Sequence, residues 1–352
     1  MQRMIVPRTD LSSPSLQRSD AAELAPGEVR LRIDRFGFSA NNITYALFGD
    51  ALGYWRYFPV DEVHGSIPVW GFAEVVESRS DRLSDGERLF GYLPLADEHV
   101  FRPTEVSDLA ASDGSAHRAS LHPWYNRFYR CAGDPLWTAD DEHLQATMWA
   151  LFMTGWALAD QLVDTARIVV VSSASSKTAL ALAWTLHHRA PELLVVGITS
   201  PGNVEIVDTW GLYDDVTTYE SLHLPPSDGP FAFVDAAGSP ATKERVHAEL
   251  GDRLTDSIAL GATHQRPGQA AGELAGPTPR LFFIPDVAER AATEVGLGAY
   301  HGAFTEQWQR FVPWIAERLA IDTAQGADGI LHTYRTVLAG GLGPEMAKVL
   351  TW

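Results

Sequence analysis

The rhythm of apolar and polar positions changes near residue 140. Before it, short runs alternate with period two. Val29–Phe36 sets apolar and charged residues in turn, as a half-buried strand requires, and Pro26-Gly27-Glu28 ahead of it is a turn signal. Val69–Val76 and Arg88–Leu93 read as further short strands, with Asp85-Gly86 as a turn before the second. Runs this short, punctuated by glycine, proline and charge, predict a small antiparallel barrel. From Asp140 the pattern turns helical: acids open the first turn and apolar residues follow at spacing three and four through Phe152. Apolar strands then alternate with helical segments. Ile168–Val171, Leu193–Ile198, Phe231–Asp235 and Ser257–Gly261 read as strands, and Lys177–His187, Val204–Trp210 and Ala241–Leu250 as helices. That alternation predicts a doubly wound parallel sheet. The tail from about residue 300 reads as helical, with Trp308, Phe311 and Trp314 at spacing three as packing residues.

Length and charge narrow the class. At 352 residues the chain is long enough for two domains. With 27 basic and 45 acidic side chains its formal charge is −18, which disfavours a nucleic-acid partner or an anionic membrane surface. The apolar runs fall short of the ~20 residues a membrane span needs. Residues Met1–Asp10 hold no apolar stretch of the kind a signal peptide uses. These features lead to the expectation of a cytoplasmic protein. A single cysteine, Cys131, leaves no intramolecular disulfide and no multi-cysteine metal site. Among the basic residues only Lys177, Lys243 and Lys348 are lysines, which draws notice to each.

One of those lysines lies at the turn where a doubly wound sheet binds ligands. The turn reads Ser172-Ser-Ala-Ser-Ser-Lys177-Thr178-Ala179 and contains no glycine, so the G-x-G-x-x-G pattern fails literally. Its small and hydroxylated residues still permit a fairly close backbone approach. Free helix amides, hydroxyls and one ammonium would together attract an anion. A triphosphate loop also ends in Lys-[Ser/Thr], but Val171 and Ser176 stand where it needs glycines. The second strand ends in Thr199-Ser-Pro-Gly-Asn203, without the carboxylate that usually meets a free ribose 2′-hydroxyl. A phosphorylated dinucleotide is therefore favoured, although no arginine sits in that segment.

These residues carry a resemblance. The serine-rich turn, Val195-Val-Gly-Ile-Thr-Ser200, and Trp210-Gly-Leu-Tyr-Asp-Asp-Val-Thr-Thr-Tyr219 resemble the cofactor domain of the medium-chain dehydrogenase/reductase superfamily. Leu24-Ala-Pro-Gly-Glu-Val, Trp70-Gly-Phe-Ala-Glu-Val-Val-Glu and Asp85-Gly-Glu-Arg-Leu-Phe-Gly-Tyr resemble strands of its GroES-like catalytic domain. His117–Arg130, Gly261-Ala-Thr-His264 and Phe282-Phe-Ile-Pro-Asp286 resemble a bacterial branch of that superfamily classed as a domain of unknown function. The resemblance implies an α/β fold: a GroES-like β-barrel catalytic domain over residues 1–138 and a Rossmann-type nucleotide-binding domain over 139–290. Residues 291–352 would return to the catalytic domain as a helical segment. Zinc members of the superfamily use cysteines and a His-Glu pair, where this chain has Ser39, Val69 and Trp70. No zinc is expected, and the zinc-free quinone oxidoreductases and enoyl reductases become the nearest functional relatives.

The expected activity is NADPH-dependent reduction of a conjugated carbonyl, enoyl or quinone-like small molecule. The resemblance carries Tyr45 over as a candidate catalytic residue. Asn41 and Asn42 sit where donors to a substrate carbonyl could lie, and His264, closing the strand Ser257–Gly261 at the carboxyl edge of the sheet, is a candidate proton donor. Ser173, Ser176, Lys177, Thr178, Thr199, Ser200, Asn203 and Tyr219 are the candidate cofactor residues. His117, Arg118, Tyr125 and Asn126 would suit a carboxylate or phosphate on the substrate, or clamp the structure. A homodimer is a further expectation from the resemblance. Two alternatives stay open: a lyase or isomerase that has lost redox turnover, and a non-catalytic binding protein.

Overall fold

A computed structural model describes residues 1–260 and 274–352. It divides into two compact units, one of residues 1–149 with 288–352 and one of residues 150–287. The division falls inside the long helix Glu142–Leu162.

In the first unit the strand Val29–Phe38 is the spine. Its residues Val29, Leu31, Ile33, Phe36 and Phe38 are buried, and the register shifts twice against its neighbour Pro68–Ser78. Such bulges bend and twist a strand, which lets the sheet curl. Arg88–Pro94, Arg127–Arg130, Ala110–Asp113 and Pro103–Thr104 continue the sheet beyond Pro68–Ser78. Glu98–Phe101 pairs with Val29–Phe38 as well. The polar face is neutralised by design of sequence: Arg88 forks onto Asp34 at 2.8 and 3.1 Å, and both Arg35 and Arg88 reach Glu142 at the start of the long helix.

The C-terminal tail departs from the helical expectation. The helices Leu297–Ala316 and Gly326–Leu338 are there, with Trp308 and Phe311 buried, but Ala320–Gln325 and Met346–Thr351 are strands. They pair with each other in parallel, and Met346–Thr351 pairs antiparallel with Val29–Phe38. Both are short, and Ala320–Gln325 is largely exposed, so no apolar run advertises it.

The second unit holds an all-parallel sheet. Among the described residues its strand order is Asp215–Thr218, Leu194–Thr199, Ile168–Ser172, Phe231–Asp235, Leu254–Ala259, Arg280–Leu281. This is the 3-2-1-4-5-6 order of a dinucleotide-binding sheet. Ile168–Ser172 and Phe231–Asp235 are buried along their whole length, because a parallel sheet is covered on both faces. Helices Lys177–Arg189, Val204–Thr209 and Pro240–Leu250 follow three of the strands. Residues 219–230 return from the Asp215–Thr218 edge to Phe231 with no helix; Tyr219, Leu222 and Leu224 cover the core there instead.

Candidate functional site

The turn after Ile168–Ser172 is built on a left-handed residue. Ser173 has φ +54, where glycine is usual, at a cost of ~1–2 kcal/mol. Two neighbours hold it. Ser172 Oγ donates to Asp235 Oδ1 at 2.8 Å and accepts the Ala237 amide at 3.0 Å, and the Gly238 amide donates to the same carboxylate oxygen at 2.9 Å. The Lys243 ammonium lies 3.5 Å from Asp235 Oδ2, and both side chains are buried. This network ties the turn after the first strand to the turn after the fourth.

On the other side Ala174 packs against Gly197, where a Cβ would approach the Ala174 Cβ to 2.9 Å. The absent side chain is what lets the turn lie on the strand. Tyr213 donates to the Ala174 carbonyl at 2.9 Å, and burial pushes its phenol well above the ordinary range. Asn203, in the single turn Pro201–Asn203 that Ser200 opens, donates to Ser175 Oγ at 3.1 Å.

Ser176 caps the helix Lys177–Arg189 by accepting the Ala179 amide at 3.3 Å. Lys177 and Thr178 form its half-buried first turn. Among the described residues the Ser175 and Thr178 amides donate to nothing. Thr199 Oγ1, at the end of the second strand, is buried and likewise without a hydrogen-bond partner. These unfilled groups fit a pyrophosphate and its ribose. Tyr219 is placed on the same turn: its amide donates to the Thr199 carbonyl at 3.1 Å, and its phenol oxygen accepts the Ser173 amide at 2.9 Å. Burial raises its pKa. Seven of the eight expected cofactor residues thus lie on the turn, its helix or the end of the second strand, and Tyr219 bridges them.

Sequence reasoning missed Arg245 and the Asp235–Lys243 pair. Arg245, on the helix Pro240–Leu250, donates to the Tyr219 carbonyl. Twenty-six residues separate the two, so no local pattern joins them. The scarcity of lysine does point to Lys243.

The first unit gathers the remaining expected residues around buried tyrosines. Ser39 caps the helix Ala40–Leu47 in a reciprocal arrangement with Asn42, whose Nδ2 also donates to the Pro68 carbonyl at 2.9 Å. Asn42 is therefore engaged on both ends of its amide. Tyr45 is buried one helical turn later. Its phenol is raised by burial against the opposing effect of hydrogen bonds from Trp70 and Asn41. The Trp70 indole, 3.1 Å away, can only donate, so Tyr45 retains its own proton to give. Tyr54, Tyr92 and Tyr125 pack on Tyr45 with ring centroids 4.8, 5.4 and 6.4 Å distant. The Tyr92 hydroxyl is buried without a hydrogen-bond partner among the described residues, and burial pushes its pKa well above the ordinary range.

Arg118 lies behind this cluster and is 1% exposed. Its Nε is 2.9 Å from Asp113 Oδ2, its Nη1 reaches the Tyr125 carbonyl and Asn126 Oδ1, and its guanidinium covers the Phe58 ring at 4.7 Å. His99 Nε2 stands 3.7 Å from the same Asp113 oxygen. His117 is exposed and its ring contacts the Tyr57 carbonyl at 3.2 Å. The structure brings Arg118, Tyr125 and Asn126 together and leaves His117 at the rim. His264 lies outside the described residues. No group of three or more His, Cys, Asp or Glu side chains converges as a metal site among the described residues. Ser39 is a helix cap, and Val69 and Trp70 are buried strand residues. No helix among the described residues is long and apolar enough to cross a membrane.

A family model described as a protein of unknown function (DUF2855) matches residues 36–343. The chain belongs to this family. No curated protein matches it in sequence. In structure it is similar, over its full length, to TarJ of S. aureus solved with NADPH: TM-score 0.60, 10% identity, 98% of that chain covered. It is equally similar to CurA of Vibrio vulnificus solved with NADPH, at TM-score 0.60, 14% identity and 99% of that chain. A mutant form of enoyl thioester reductase from Candida tropicalis gives TM-score 0.59, 12% identity and 99% of that chain, again with all of this chain covered. These likenesses show the expected α/β fold, a GroES-like barrel unit and a Rossmann-type unit.

Proposed function

We propose that this family member is a zinc-independent oxidoreductase that uses NADPH to reduce a conjugated carbonyl, enoyl or quinone-like small molecule. The observation that carries the reading is the turn at Ser173. A left-handed serine, two undonated amides at Ser175 and Thr178, and Lys177 at the first helical position offer the donors a pyrophosphate would need, without the usual glycines. NADPH in the TarJ and CurA complexes supports the choice of cofactor, and the name of the Candida enzyme supports an enoyl acceptor.

Lys177 and the turn amides would hold the pyrophosphate, and Thr199 and Ser200 the ribose. NADPH, when bound, supplies a hydride. The acceptor gains that hydride and one proton, so a carbon–carbon or carbon–oxygen double bond becomes saturated. Tyr45 is the donor we assign to the proton. Its phenol stays protonated because burial opposes the phenolate, and an enolate is basic enough to take its proton. Tyr45 must regain a proton before the next turnover. Zinc has no place in this scheme, since neither Ser39 nor the Val69-Trp70 pair offers it a soft or imidazole ligand.

The test is titration with NADPH and NADH followed by nicotinamide fluorescence, then turnover on a panel of enals, enoyl thioesters and quinones. Saturable NADPH binding with acceptor-dependent oxidation supports the proposal. Binding of neither cofactor refutes it. A lyase or isomerase on the same fold is the second reading, motivated by the Ser173 amide already being held by Tyr219. NADPH binding with no oxidation by any acceptor would favour that reading.

A further inference from the structure

The end of the second strand of a dinucleotide-binding sheet is where the adenosine ribose lies, and a basic group there accommodates a 2′-phosphate. The segment Thr199–Asn203 contains no basic residue. The fold supplies one from elsewhere. Tyr219 donates its amide to the Thr199 carbonyl at 3.1 Å, and its own carbonyl accepts from the Arg245 guanidinium. Arg245 is thereby held at Tyr219, whose amide is hydrogen-bonded to the end of the second strand, although it comes from the helix Pro240–Leu250 after the fourth strand.

Two further observations point to a ligand at this place. The Thr199 hydroxyl is buried and has no hydrogen-bond partner among the described residues. Arg245 is exposed and has no carboxylate partner among them either. Three other cations of this unit are paired with carboxylates: Arg189 with Asp160, Arg280 with Asp256 and Lys243 with Asp235. Arg253 is also held by backbone carbonyls, but its acceptors are Ser227 and Glu249, whereas Arg245 is anchored at Tyr219 beside the end of the second strand with donors to spare. Anchoring one nitrogen also restricts the side chain, so less rotamer freedom is lost when an anion binds.

We propose that Arg245 is the residue that selects the phosphorylated cofactor, by pairing with the 2′-phosphate beside Thr199 and Tyr219. This rests on the cofactor reading above and adds a specificity-determining residue to it. Tyr219 then serves as a positioning residue, since its backbone carries Arg245 to the strand end and its phenol engages the turn.

The experiment compares the unaltered chain with Arg245→Gln and Arg245→Lys, titrated with NADPH and with NADH and read by nicotinamide fluorescence. The expected result is that Arg245→Gln weakens NADPH about 10- to 100-fold, the scale of a charge-assisted contact, while NADH changes by less than about twofold. Arg245→Lys should keep most of the preference, and the preference of the unaltered chain should shrink with added salt. An unchanged NADPH/NADH ratio in Arg245→Gln overturns the proposal. So does an equal loss for both cofactors, which would mark Arg245 as a purely structural contact. If the unaltered chain binds both cofactors equally, only the arginine assignment falls. If it binds neither, the cofactor reading falls and takes this inference with it.

Discussion

Replacing Asp235 with alanine should loosen the cofactor turn by several kcal/mol. The carboxylate accepts the Ser172 hydroxyl and the Gly238 amide, and it is the counter-charge of Lys243, which is 7% exposed. Removal leaves a buried amide without an acceptor, worth about 1–3 kcal/mol, and a buried ammonium without a partner, worth about 3–5 kcal/mol. These terms overlap because the pocket relaxes, so about 4 kcal/mol is the expected loss. Hydrogen exchange of peptides covering Ile168–Ser172 reads this locally, whatever the first unit does. A loss of about 4 kcal/mol means about a thousandfold faster exchange where opening is limiting. Adding Lys243→Met should restore at least about 1 kcal/mol of it by removing the orphaned charge. Exchange that rises less than about tenfold in Asp235→Ala, or a double variant whose losses simply add, would refute the claim that this buried pair braces the turn.

Three further outcomes are expected. Lys177→Ala should weaken NADPH binding about 10- to 150-fold, the loss of one charged hydrogen bond; an unchanged dissociation constant would remove it from the cradle. Tyr45→Phe should lower turnover by about 10²–10⁴ while the NADPH dissociation constant stays put, and an unaltered turnover would exclude Tyr45 as the proton donor. Its raised pKa also means that the loss of rate on deprotonation lies above pH 10, so a limb falling between pH 7 and 9 would have to belong to another group. Acid should destabilise the first unit in two stages. His99 is held neutral by burial, so stability is lost as pH falls below the ordinary histidine range. Burial raises the Asp113 carboxyl, but His99 and Arg118 outweigh it and hold it well below the ordinary range, so further stability is lost below about pH 4. His99→Gln should shrink the first stage in a pH series of unfolding midpoints, leaving the part due to His143, whose pKa burial also lowers, and should weaken the second, because His99 helps hold Asp113 down.

How much of this could be read from the chain differs between the units. Ile168–Ser172, Leu194–Thr199 and Phe231–Asp235 were legible because a sheet covered on both faces demands continuous apolar runs. Glu98–Phe101, Ala110–Asp113 and Ala320–Gln325 were not, being short and mostly half-exposed or mixed in character. The serine-rich turn was recognised despite its missing glycines, because small residues and a helix start were the physical requirement. Arg118 was visible as a candidate ligand, yet only the fold reveals that Asp113 and the rings of Tyr57 and Phe58 enclose it. Arg245 was invisible as a site residue, since its partner is the backbone of a distant tyrosine and its neighbour Glu249, one turn on, suggests an ordinary surface pair.

The scarcity of lysine has a practical side. Lys243 is buried against Asp235, and Lys348 is paired with Asp322 in the strand Met346–Thr351. Lys177 opens the helix that follows the central strand Ile168–Ser172. Amine-reactive reagents therefore have very few places to attach, and a label that a dinucleotide keeps off would report occupancy of the turn with little background.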